Sequence, residues 1–124
     1  MENEIANKII GAAIEVHRIL GPGLLESVYE TSLCHELFLR GLQVKKQITV
    51  SIKYKDLIVK DPLYLDILVE NKVIIEIKAT EKECAIHQTQ LLTYLRLTGM
   101  KLGLLINFGQ ERVKNGIHRI VNGL

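Results

Sequence analysis

The sequence predicts an α/β fold: a mixed sheet with helices packed on its faces. Three observations predict it. The first forty residues carry apolar residues at helical spacing. Leu63 to Lys78, LYLDILVENKVIIEIK, is a run of aliphatic residues broken only at Glu70-Asn71-Lys72, the pattern of a β-hairpin covered on both faces. A third helical stretch then leads into the short aliphatic run Leu102–Asn107. The resulting order is ααβββαββ, which packs most simply as a layer of strands between layers of helices.

Each element has its own justification. Ile5, Ile9, Ala12, Ala13, Val16 and Leu20 fall at i, i+4, i+7 and i+8 spacings and predict a helix over 2–20. Gly21-Pro22-Gly23 ends it; the triplet lacks the Lys-Ser/Thr of a phosphate loop. A second helix is expected from about Leu25 to Arg40, with Gly41 just past its end. Residues 43–54 alternate, placing Val44, Ile48, Val50 and Ile52 on one face of a strand whose other face is wet. Lys55-Asp56 turns the chain, and Leu57-Ile58-Val59 is an extension before Asp61-Pro62. After the hairpin come a helix from Glu83 to Thr98 stopped by Gly99, the strand 102–107, a polar loop over 108–115 and a last strand, 117–121.

Composition narrows the function classes. A length of 124 residues suits one domain, 1–124, with a single substantial core, and that core must be aliphatic because there is no Trp and only two Phe. A net charge of +2 does not by itself argue for a nucleic-acid partner. No apolar run is long enough to cross a bilayer and MENEIANKII does not read as a signal peptide, so a cytoplasmic protein without a membrane partner is expected. Cys34 and Cys84 are too few for a disulfide framework or a four-cysteine iron–sulfur cluster.

The chemistry is concentrated in the hairpin. Asp66, Glu76 and Lys78 interrupt its aliphatic arms, and a charge in a covered strand costs several kcal/mol unless it is paired, hydrogen-bonded or bound to a metal. Glu76 and Lys78 leave the same face, being two apart. Two carboxylates beside one ammonium make a site for a hard divalent cation such as Mg²⁺ or Mn²⁺. The loop length decides whether this site exists. A two-residue loop pairs Glu70 with Val73 and sends Asp66 and Glu76 to opposite faces. A three-residue loop, Glu70-Asn71-Lys72, pairs Val69 with Val73 and sets Asp66 opposite Glu76. The three-residue loop is the expectation, a type I turn with one residue in the left-handed conformation, for which Asn71 and Lys72 are the candidates and Asn71 tolerates it best.

Asp66 followed by Glu76-Ile77-Lys78 resembles the D…ExK signature of the PD-(D/E)xK nuclease superfamily. Gly23-Leu24-Leu25-Glu26-Ser27-Val28-Tyr29 resembles the motif of its GxxExxY branch, and Gln90-Leu91-Leu92-Thr93-Tyr94 the QxxxY motif of RecB-like nucleases. Two positions depart from the pattern: Tyr64 stands where relatives carry Arg, and Leu65 replaces the proline of the signature. The resemblance implies a restriction-endonuclease-like mixed sheet and a Mg²⁺- or Mn²⁺-dependent nuclease acting on DNA. It implies that Asp66 and Glu76 hold the metal with the Ile77 carbonyl, and that Lys78 orients water or stabilises the transition state.

Other residues enter with a structural and a functional reading. Glu26 is either an ordinary acid at a helix start or a further metal ligand from outside the sheet. Tyr29 is expected to pack and to fix that helix. Gln90 and Tyr94 lie one helical turn apart, either as plain helix surface or as contacts to the scissile phosphate. His17 lies just before the Gly-Pro-Gly turn, and the resemblance makes it a candidate ligand. His35 and His118 have no partner at ligand spacing. Two alternatives stand beside a DNA nuclease: a catalytically silent nucleic-acid-binding or adaptor domain, and a structure-selective endonuclease like a junction resolvase. A homodimer is expected because so small a domain covers little nucleic acid.

Overall fold

The computed structural model describes the whole chain, residues 1–124. Helix α1, Glu2–Leu20, buries Ile5, Ala6, Ile9, Ala12, Ala13 and Val16 on one stripe. It stops at Gly21, whose φ of 72° belongs to the left-handed region. Helix α2, Glu26–Leu39, buries Tyr29, Leu33 and Leu37 at four-residue spacing, and packs beside α1. The strands are β1 (Val44–Val50), β2 (Lys53–Tyr54), β3 (Leu57–Ile58), β4 (Leu63–Val69), β5 (Val73–Lys78), β6 (Leu102–Asn107) and β7 (Ile117–Val121). Helix α3, Ala85–Thr98, joins β5 to β6.

Five strands form one mixed sheet in the order β1-β4-β5-β6-β7. Only β5 and β6 run parallel, and such a pair needs a crossover, which α3 supplies. The two faces are unequal. On one, α1 and α2 cover a core of 20 buried residues that includes Val73, Ile75, Ile77, Leu102, Leu104 and Ile106. On the other, α3 covers seven: Leu63, Leu65, Leu68, Ile74, Leu91, Leu95 and Leu105. Gly103 lets α3 approach, since a Cβ there would lie 2.9 Å from Leu91. No helix is long and apolar enough to cross a membrane.

The hairpin has the expected register, Val69 opposite Val73, Leu68 opposite Ile74 and Ile67 opposite Ile75. Its turn is closed by the Lys72 N–H donating to the Val69 carbonyl (3.0 Å). Glu70 and Asn71, both at φ 54°, take the left-handed conformation. Asn71 was the favoured candidate for that conformation; Glu70 beside it was not expected, and Lys72 does not take it. With Glu70 and Asn71 as the two central residues of the turn, Lys72 becomes the extra residue that makes the loop odd.

The stretch 43–54 is corrected more deeply. It is not one strand with one apolar face. Val44 packs toward the α1/α2 core, whereas Ile48, Val50 and Ile52 pack toward the α3 core. Gln47, at φ 52° in the middle of β1, is where the alternation changes sides. The same change occurs across from it in β4, where Leu65 faces α3 and Ile67 faces α1 and α2. Residues 53–58 then leave the main sheet as a separate two-stranded flap, with Lys53 paired to Ile58 and Tyr54 to Leu57.

Candidate active site

The change of faces at Asp66 opens the β4–β5 ladder. Backbone pairing stops at Ile67–Ile75, and on the next rung side chains stand where backbone groups would. The Ile77 N–H donates to Asp66 Oδ2 (2.9 Å), and the Asp66 N–H points to Glu76 Oε1 (3.4 Å). N–H and C=O of one strand residue point to the same side, so the Ile77 carbonyl also points into this gap. Asp66 and Ile77 line a cleft of about 200 Å³ together with Glu26, Ser27 and Glu30 of α2 and Gln47 of β1.

Glu76 lies behind Asp66 with only 8% of its surface exposed. Burial, and then the Asp66 carboxylate beside it, push the Glu76 carboxyl up to about 9, while Lys78 counters weakly. Burial followed by the charges of Glu76 and Asp66 also raises the Tyr94 phenol, which places Tyr94 within their field. Lys78 emerges half-buried on the α3 face of β5, beside Thr80, Glu83, Cys84, His87 and Asn107. Gln90 is exposed one turn before Tyr94.

Tyr29 positions the helix that carries Glu26. It is fully buried, stacks on Phe108 with centroids 4.6 Å apart, donates to the Gly21 carbonyl (2.5 Å) and accepts from the Leu24 N–H (3.1 Å). The Gly-Pro-Gly turn is thereby tied to the core, and α2 begins with Glu26 at the cleft.

With this geometry in view, comparison with known proteins is informative. A family model described as the PD-(D/E)XK nuclease superfamily matches residues 3–120. The chain belongs to that superfamily. A search of curated proteins found no match. Among solved structures, the one titled "Crystal structure of SSO0001" superposes with a TM-score of 0.60 at 21% identity, over 80% of this chain and 51% of the other. This chain therefore spans about half the length of that one, and the likeness is one of fold.

The PD-(D/E)XK signature residues come together as the hairpin register requires. Asp66, Glu76 and the Ile77 backbone lie at the open end of the ladder; Glu26 shares a cleft with Asp66 and Ile77 from α2, whereas Lys78 stands on the α3 face in a separate hollow with Thr80 and Asn107. His17 is not brought there. Its Nε2 is hydrogen-bonded to the Gln110 carbonyl (2.9 Å) and its ring lies against Phe108 (6.2 Å), so it ties α1 to the loop after β6. His118 has a partner the spacing did not suggest, the Glu83 carboxylate. No three His, Cys, Asp or Glu side chains are gathered at metal-ligating distance.

Three residues at the site escaped the sequence reading. Gln47 donates to Glu30 Oε1 (2.6 Å) at the mouth of the cleft. Glu30 lines the same cleft one helical turn after Glu26. Asn107, opposite Lys78 in the β5–β6 register and 2% exposed, accepts from the N–H groups of Thr80 (3.0 Å) and Gly109 (2.9 Å) and donates to the Thr80 carbonyl (2.9 Å). It fixes the chain just beyond Lys78. A polar residue closing the otherwise aliphatic LGLLIN strand is the signal that marks it.

Proposed function

We propose that the chain is a divalent-metal-dependent nuclease of the GxxExxY, RecB-like kind, hydrolysing DNA phosphodiester bonds with Mg²⁺ or Mn²⁺ in the cytoplasm, with a homodimer as its working form. The observation that carries this is the opened ladder: two carboxylates and a carbonyl converge where backbone pairing ends. A buried carboxyl pushed up to about 9 beside a second carboxylate is the donor set of a hard cation, which would relieve both the burial and the repulsion. Asp66, Glu76 and the Ile77 carbonyl would hold the ion, with Glu26 as a further oxygen ligand from across the cleft. Two carboxylates and a carbonyl leave positions for water and phosphate oxygen, so a third ligating side chain is not required. When bound, the ion supplies Lewis acidity and charge compensation at the phosphate.

The chain's own groups do the rest. Lys78 projects from the Glu76 face, and its ammonium stabilises charge developing on the phosphoryl oxygens. Asn107 holds the strand end from which Lys78 projects. Gln90 and Tyr94 present neutral hydrogen-bonding groups on the α3 side of the carboxylates, suited to a phosphate or sugar oxygen.

A second reading has a specific observation behind it. Asp66 is already engaged by the Ile77 N–H, as it would be in a silent nucleic-acid-binding domain that keeps the fold. Incubation with linear, nicked, single-stranded and branched DNA in Mg²⁺, Mn²⁺ or EDTA separates the readings. Metal-dependent cleavage is the expected result, and cleavage restricted to branched DNA would mark a structure-selective enzyme. Binding of DNA in every metal without cleavage would establish the silent domain instead.

A further inference from the structure

Helix α2 is apolar on two opposite sides. Tyr29, Leu33 and Leu37 face the core. Thr31, His35 and Leu39 each lie two positions further on, about 200° around the helix, and so point away from the molecule. Val28, Thr31, His35 and Phe38 step by three, four and three residues, the spacing of a coiled-coil seam. The His35 ring stacks against Phe38 with centroids 6.4 Å apart. Val28, Phe38 and Leu39 are 38%, 69% and 63% exposed. A helix apolar on both sides is built to be covered on both, and no other element of the chain covers this one.

Relief and charge say what fits this face. Thr31 and His35 stand between two grooves and line both. One groove, of about 340 Å³, lies against α1 and is lined by Ile19, Leu20 and Ser32; the other, of about 360 Å³, lies against β1 and is lined by Cys34, Phe38 and Val44. A ridge between two grooves of similar size accepts a second copy of the same ridge. The ridge is also uncharged. All three acids of α2 lie elsewhere: Glu26 and Glu30 line the cleft, and Glu36, at the margin of the first groove, is bonded to Arg40. Lys46 stands at the margin of the second. A polyanion would find nothing to pair with between these margins, whereas the core of a protein–protein contact is depleted of charge in just this way. Ile19, 64% exposed, brings the large apolar residues of the face to four. With Thr31 and His35 they present on the order of 600 Å² per copy, so two copies would bury about 1,200 Å², the lower end of specific interfaces.

We propose that the outward face of α2, with the groove on either side of it, is a homodimer interface whose occupant is the same face of a second copy. The inference rests on the homodimer of the proposed function and not on its chemistry. An aromatic side chain contributes most where it fills a pocket of the partner, and a two-fold axis lets Phe38 do so twice, once from each copy. The cleft stays open, because Glu26 and Glu30 enter it from the side of α2 that meets the sheet. In both copies the contact would brace the helix that brings Glu26 to Asp66.

The test is sedimentation velocity of the full chain across the micromolar range. The wild type is expected to pass from monomer to dimer as concentration rises. Phe38→Ala is expected to weaken the dimer about a hundredfold, since the anchor is lost from both copies at once, and Phe38→Glu or Leu39→Glu is expected to leave a monomer. Leu57→Glu, on the flap and 64% exposed, is expected to change nothing. In a Cys34→Ser, Cys84→Ser background, His35→Cys is expected to be captured as a dimer by a short bis-maleimide, and Leu57→Cys is not. Thermal melts confirm folding; where Phe38→Glu lowers the melt, Leu39→Glu gives the same readout. A dimer that both Glu substitutions leave intact overturns this interface and keeps the homodimer. A monomer at every concentration overturns both. A dimer that behaves as expected but cleaves no DNA in any metal keeps the interface and removes the nuclease reading.

Discussion

The two ends of the β4–β5 hairpin lie on the same pair of strands and behave as opposites. At the turn end, Ile67, Leu68, Val69, Val73, Ile74 and Ile75 pair in strict register and are buried on both faces. At the other end, one rung further on, the ladder stops and Asp66 and Glu76 stand in the gap. The first end gives stability through burial, about 1.5–3 kcal/mol for each large aliphatic side chain. The second gives some of it up, holding a carboxyl in a place that disfavours its charge. The lesson is that the site is an interruption of a ladder whose closed end keeps it rigid.

That contrast can be broken from either side. The largest effect is expected at the open end: Lys78→Ala should lower cleavage by roughly 10²–10³-fold, the scale for losing one electrostatic donor to the transition state, while DNA binding by gel shift is kept. Cleavage at the wild-type rate would remove Lys78 from the mechanism. At the closed end, Ile75→Ala should cost about 2–5 kcal/mol of unfolding free energy in urea, yet leave the cleavage rate per folded molecule unchanged.

A third prediction concerns pH. In the folded metal-free chain the Glu76 carboxyl stays protonated to about 9, whereas in the unfolded chain it releases its proton near its ordinary value of 4.5. The folded state therefore binds the extra proton between these values, and this contribution to stability falls as pH rises from about 4.5 to about 9. Melting temperature in EDTA should decline across that window, and Glu76→Gln should flatten the decline while abolishing metal binding. A wild-type slope retained in the Gln variant would assign it to other groups. The smallest effect is expected at the turn, where Asn71 adopts φ 54° without being glycine. Asn71→Gly should stabilise by up to about 0.5 kcal/mol in the same urea titration, with catalysis untouched.

The closed end was legible in the sequence and the open end only in part. Aliphatic runs, turn residues and the need to bring two carboxylates together were enough to place the hairpin, its odd loop and the pairing of Val69 with Val73. Helix α3 and the strand after it followed from periodicity. The reading of 43–54 failed because alternation assumes a constant twist, and the left-handed Gln47 carries no sequence mark such as glycine. His17 misled for a different reason. The family resemblance, with its place just before the Gly-Pro-Gly turn, made it a candidate ligand, but its ring nitrogen is hydrogen-bonded to the carbonyl of Gln110, 93 residues away. Asn107 was passed over as the end of a strand, because Thr80, whose N–H and carbonyl it both pairs, lies 27 residues away.

The central claim is that the opened ladder is a metal site made by Asp66 and Glu76. Isothermal titration of Mn²⁺ into the wild-type chain, Asp66→Ala, Glu76→Ala and the double variant tests it directly, with circular dichroism confirming that each is folded. The account predicts one to two sites in the wild type, release of a proton from Glu76 on binding near neutral pH, and loss of the tighter site in each variant. Unchanged Mn²⁺ binding by the folded double variant would contradict it.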